Sequence, residues 1–106
     1  RSVARHEVIC TPDDVGELAS RVLKSRGRVF TVFTSRRLEV FMTALKAHRI
    51  TPKRLRFVHP DNNHDSGIFL LESIKDGGEG LSILPPLFVR NFDGKYTSEV
   101  LQAYEL

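Results

Sequence analysis

The chain has 106 residues, 41% hydrophobic and 27% charged, the composition of one small globular domain with a modest core. A single cysteine, Cys10, excludes an internal disulfide, and no Cys/His pair has zinc-ligand spacing. The longest apolar run, Ile68–Leu71, is far too short to span a membrane and the N-terminus lacks an apolar signal region, so a reducing, cytoplasmic setting is expected. The net charge of +3 conceals an asymmetry. Residues 21–56 hold eleven Lys and Arg against Glu39 alone, and eight of the eleven are arginine. Guanidinium forks suit phosphate, so this block reads either as a nucleic-acid-facing patch or as the solvated face of two helices.

Thr11-Pro12-Asp13-Asp14 is a helix start: threonine caps, proline takes the first helical position, and acids meet the positive helix end. Val15, Leu18, Ala19, Val22 and Leu23 then recur at helical spacing over 12–26, and Gly27 is expected to end the helix with a positive φ. Val29–Phe33 is β-branched and aromatic throughout, which predicts a strand buried on both faces. Thr34 and Ser35 are placed to cap a second helix over 35–49 with Leu38, Phe41, Met42 and Leu45 on one side; it must stop before Pro52. Helix, buried strand, helix is the pattern of a parallel sheet. Leu55–His59 and Gly67–Ile74 then read as an antiparallel strand pair around a polar loop. Short strands are expected at 81–84 and 87–90 around Pro85-Pro86, an Asp-Gly turn at 91–95, and a final helix capped by Thr97.

The strand at 29–33 wants a parallel neighbour that this sequence does not supply, so the fold class expected is α/β but half a domain, with an open sheet edge able to self-associate. Two motifs imitate ligand sites. Asp61, Asn63, Asp65 and Glu72 fall on calcium-loop positions, but Ser66 stands where the turn needs glycine and strands flank the loop. Gly77-Gly78-Glu79-Gly80 precedes a strand, whereas a phosphate loop precedes a helix. Arg5-His6-Glu7 sets a base, a titratable ring and an acid side by side, with no serine or thiol nucleophile having an evident partner. Arg54, Arg56 and His59 are expected to share one strand face.

The phrases Ala4-Arg5-His6-Glu7, SRRLEVF at 35–41, TPKRLRFVHP at 51–60 and LPPLFVRNFDGKYTSEV at 84–100 together resemble one family over essentially the whole chain. It is the bacterial S-adenosyl-L-methionine-dependent methyltransferases that modify N6 of an anticodon-loop adenine in the tRNA for valine. The resemblance implies the C-terminal half of a class I, Rossmann-like methyltransferase fold: a mostly parallel seven-stranded sheet ending in an antiparallel hairpin. It aligns residues 29–33 with the fifth strand, and the pair at 55–59 and 67–74 with the terminal hairpin. The family's glycine-rich methyl-donor loop and its Asn-Pro-Pro-Tyr motif are not in this sequence, so no catalytic and no cofactor-binding residue is assigned within residues 1–106. The mechanism implied for the intact enzyme is extrusion of the adenine into a pocket and in-line attack of its amine on the donor methyl. This half would contribute a pocket wall near Arg5 and His6; charge and position, not the family's pattern, nominate Arg36, Arg37, Lys53, Arg54 and Arg56 to face the tRNA backbone. Without that resemblance, a stand-alone basic RNA-binding module and an interaction domain remain the alternatives.

Overall fold

The computed structural model describes residues 11–104. Helix α1 (Pro12–Val22) starts as its sequence dictates: Asp14 N donates to Thr11 Oγ1 and Thr11 N to Asp14 Oδ2, both at 3.1 Å. It ends four residues earlier than expected, where Lys75 Nζ donates to the Ser20 and Leu23 carbonyls at 2.6 and 2.9 Å. A cation there also meets the negative helix end. The left-handed residue of the following turn is Arg26 (φ 72°), not Gly27. Gly27 is needed for another reason, since a Cβ on it would lie 2.9 Å from the Lys24 carbonyl oxygen.

Strand β1 (Arg28–Thr34) leads through a 3₁₀ turn (Ser35–Arg37) into helix α2 (Leu38–Ala47). Neither hydroxyl caps that helix. Thr34 Oγ1 reaches the Gly67 carbonyl and Ser35 Oγ lies 2.7 Å from Ser66 Oγ, so both tie the turn to the sheet instead. Strand β2 (Ile50–His59) begins five residues before the expected start and includes Pro52. A register shift between Pro52 and Arg54 accommodates the proline, which cannot donate to a ladder. Strand β3 (Ile68–Lys75) pairs antiparallel with both β1 and β2, giving the order β1-β3-β2, so β1 and β2 run parallel on either side of it. Two short strands, β4 (Ser82–Ile83) and β5 (Leu87–Phe88), add in parallel to the far edge of β2. A turn bridged by Arg90 and Tyr96 follows, then helix α3 (Ser98–Tyr104).

Both longer helices cover one face of the sheet. Phe41 and Leu45 of α2 and Ala19 of α1 pack on Leu55, Phe69 and Leu71, with Val29 and Phe33 at the margin. Phe33, Phe41 and Phe69 form an aromatic cluster with centroids 5.0–6.4 Å apart. Phe41 and Phe69 are fully buried, each contributing about 1.5–3 kcal/mol, and the half-buried Phe33 extends their cluster to the margin of the core. The opposite sheet face carries no such layer among the described residues. Phe30 is 72% exposed and Val32 60%, so β1 is buried on one face only, contrary to its sequence.

Candidate functional site

The open face of the sheet holds a groove of about 320 Å³ floored by Phe30, Val32 and Leu70 and bordered by Arg54, Arg56 and Leu84. Cross-strand register explains the arrangement: Phe30, Glu72 and Arg54 stand in one row, Val32, Leu70 and Arg56 in the next. Glu72, only 6% exposed, receives Arg28 Nη1 at 2.6 Å on one oxygen and Arg54 Nη1 at 3.2 Å on the other. Arg56 donates from Nε to the Pro85 carbonyl at 3.0 Å and forms an ion pair with Glu99 of α3. Along the outer side of the groove, β1 has no strand partner among the described residues.

The structure therefore divides the basic candidates rather than gathering them. Arg54 and Arg56 lie on the open face, each with a carboxylate partner. Lys53 sits at the β2 irregularity and donates to the Gly78 carbonyl at 2.8 Å, holding the glycine-rich turn. Arg36 and Arg37 are exposed on the turn after β1 and make no ion pair among the described residues; the Arg37 guanidinium lies 5.9 Å from the Phe33 ring centroid. Arg5 and His6 lie outside the described residues. His59 does not share the face of Arg54 and Arg56, because three positions from Arg56 is an odd step along a strand. Its ring instead faces Phe88, 5.3 Å between centroids, and its Nδ1 donates to the His64 carbonyl at 2.8 Å.

The loop after β2 is organised by Asp61, which accepts from Asn63 N at 2.8 Å and His64 Nδ1 at 2.7 Å. That hydrogen bond holds the Asp61 carboxyl below its usual value and raises the His64 imidazole above its own. Glu72, the twelfth position of the calcium-like spacing, is bound by two arginines, and no cluster of metal-ligating residues occurs among the described residues. Gly77–Gly80 lead into β4, as expected of a plain turn. No described helix is long and apolar enough to cross a membrane.

Residue-type reasoning missed two features. Glu72 is the acid that organises the open face, and the signal available for it was an acid within an apolar strand. Phe92 is 84% exposed at the tip of the turn after β5, and an Asp-Gly turn signal beside it gives no hint of an exposed ring.

No protein-family model and no curated protein sequence matches the chain. Among solved structures, a predicted O-methyltransferase, protein Atu636 from Agrobacterium tumefaciens, superposes with a TM-score of 0.78 at 20% identity, over 89% of this chain and 45% of that one. The chain thus spans less than half the length of this structural relative and shares the fold of that part of it.

Proposed function

We propose that the chain forms the C-terminal part of an S-adenosylmethionine-dependent methyltransferase domain that methylates N6 of an adenine in tRNA, a cytoplasmic activity. The observation that carries this reading is the sheet order: an antiparallel strand, β3, lies between two parallel strands joined through α2. The resemblance calls for a terminal hairpin that would have this order, and the fold shared with a predicted O-methyltransferase supports the reading. The RNA substrate rests on the sequence resemblance and on the arginine-rich middle of the chain.

The described residues do not fit a methyl-donor site. Their one glycine cluster, Gly77–Gly80, precedes a two-residue strand, and Lys53 already fills the turn by holding the Gly78 and Glu79 carbonyls. No step of methyl transfer is assigned to them. What they supply is a sheet with one open face that exposes Phe30 and Val32, and Arg36 and Arg37 at the carboxyl end of β1, the end where open α/β sheets take ligands.

The test has two parts. Calorimetric titration of the 106-residue chain with S-adenosylmethionine is expected to show no binding. The same chain within its full reading frame is expected to form N6-methyladenosine in unmodified tRNA, read by nucleoside mass spectrometry. Donor binding by the 106 residues, or a methylated product other than adenosine, refutes the reading.

A further inference from the structure

Two polar attachments hold helix α3 (Ser98–Tyr104) among the described residues. At its entry, Thr97 N donates to the Val89 carbonyl at 2.9 Å and Thr97 Oγ1 to the Phe88 carbonyl at 2.6 Å, which tethers the start of the helix to β5 and the residue after it. Within its first turn, Glu99 forms the ion pair with Arg56 on the open face of the sheet. Packing adds little: Ser98, Glu99, Leu101 and Gln102 are exposed and Val100 is half-buried. A seven-residue helix does not persist in water without tertiary contacts. The helicity of α3 therefore depends on its docking, and past Thr97 that docking depends on Glu99.

The two arginines of the groove differ in how firmly their carboxylates are held. Glu72, the partner of Arg54, is 6% exposed, belongs to the strand between β1 and β2, and is shared with Arg28. Glu99 is 52% exposed and sits on the weakly packed helix. Arg56 is fixed without it, because its Nε donates to the Pro85 carbonyl at 3.0 Å. An exposed ion pair of this kind favours the docked state by about fivefold at most, and salt weakens it. Glu99 is thus the part free to move, while the guanidinium stays at the border of the groove floored by Val32 and Leu70.

We propose that α3 is a hinged strap. Docked, its Glu99 masks Arg56; released beyond Thr97, it leaves Arg56 as the arginine of the groove that lacks a carboxylate partner. Ionic strength, or an anion competing for the guanidinium, drives the release. The device is independent of the reaction proposed above.

Cα chemical shifts of residues 98–104 in the 106-residue chain report the helical population, and amide shifts of β2 and β3 report the integrity of the sheet. Raising sodium chloride from about 20 mM to about 500 mM should lower the ratio of docked to released α3 by about two- to fivefold. Glu99→Gln and Arg56→Gln should each show at low salt the parent's high-salt value, and the double variant no further loss, because both remove the same contact. Arg56→Gln decides the matter, since it leaves the acid in the first turn of α3 untouched. Phenylglyoxal, which modifies accessible guanidinium groups, should react with Arg56 several-fold faster in Glu99→Gln than in the parent, with Arg54 unchanged, as read by peptide mass spectrometry. Helicity that falls in Glu99→Gln but not in Arg56→Gln would assign Glu99 to the helix dipole alone and overturn the strap. So would an α3 insensitive to salt, or equal modification of Arg56 in the parent and Glu99→Gln. Loss of the β2 and β3 shifts in either variant would make the pair part of the folded core, and would overturn it as well.

Discussion

Glu72 offers the sharpest test of the open face. Its carboxylate is 6% exposed, while the arginines that bracket it, Arg28 and Arg54, are 60% and 57% exposed. Replacing either arginine with alanine leaves the other in place, so the carboxylate stays paired. The lost contact is a solvent-accessible, charge-assisted one, which gives about 1 kcal/mol for Arg28→Ala at 2.6 Å and less for Arg54→Ala at 3.2 Å. Removing both strands a buried charge with no partner, and the cost rises to about 3–5 kcal/mol. The double variant should therefore exceed the sum of the singles by about 2 kcal/mol. Urea denaturation of the parent, both single variants and the double at one pH and one salt concentration measures this, provided the m-value is constant. Adding Glu72→Gln to the double variant should recover part of the loss, because an amide can be buried at lower cost than a carboxylate. Additivity within about 0.5 kcal/mol, with no recovery by glutamine, would refute the shared-partner account.

Other outcomes follow from single contacts. Gly16→Ala should destabilise the chain by about 1 kcal/mol in thermal or urea melts despite alanine's better helix propensity. The new Cβ would lie 2.7 Å from His48 Cδ2 and 3.1 Å from the Ala44 carbonyl oxygen; a higher melting temperature would contradict the α1–α2 spacing. The Asp61–His64 pair has a defined pH window. His64 is raised above 6.5 first by its hydrogen bond to Asp61, so its contribution is full below 6.5 and lost as pH rises through the folded value. Asp61 is lowered below 3.8 by the same bond first, so its contribution is full above 3.8 and lost as pH falls through its folded value. The loop should be best ordered between pH 3.8 and 6.5, and Asp61→Asn should return the His64 NMR titration to its ordinary midpoint; an unmoved midpoint contradicts the pairing. Reversing Arg36 and Arg37 to glutamate should weaken RNA binding and lower its logarithmic salt slope by about two, whereas an unchanged slope would make the pair a solvated face.

The features legible in the sequence are those fixed by neighbours along the chain. The Thr11–Asp14 capping box, the stripe of α2 and the antiparallel β2–β3 pair needed nothing beyond local spacing. The places that departed from expectation are those where a distant group decides. The end of α1 is set by Lys75, more than fifty residues away, and the hydroxyls of Thr34 and Ser35 are drawn to Gly67 and Ser66. The same holds for the site. Composition marked Lys53, Arg54 and Arg56 as cationic, but their partners are carbonyls of the 78–79 turn, Glu72 and Glu99, separated from them by 18 to 43 positions. No residue-type argument could have told these three from Arg36 and Arg37. The exposure of Phe30 and Val32 was equally hidden, because an apolar strand looks the same whether one or both of its faces are covered.

Helices α1 and α2 pack on the same sheet face, since Ala19 and Phe41 share one core with Leu55 and Leu71. The unit β1-α2-β2 advances from the open edge of β1 toward β2, with β1 and β2 parallel. Crossovers of one hand, with their helices on one face, must advance in one direction. A parallel strand leading into α1 from further polypeptide would then pair with the open edge of β1, beside Phe30 and Val32. On the methyltransferase reading proposed above, a longer chain that supplied this strand would show slower exchange of the β1 backbone amides than the 106 residues alone, as read by hydrogen exchange with mass spectrometry. Val32→Asp should reverse that protection, because a carboxylate at a newly buried position has no partner there. Equal exchange in both forms would mean that the edge of β1 stays open and would refute this pairing.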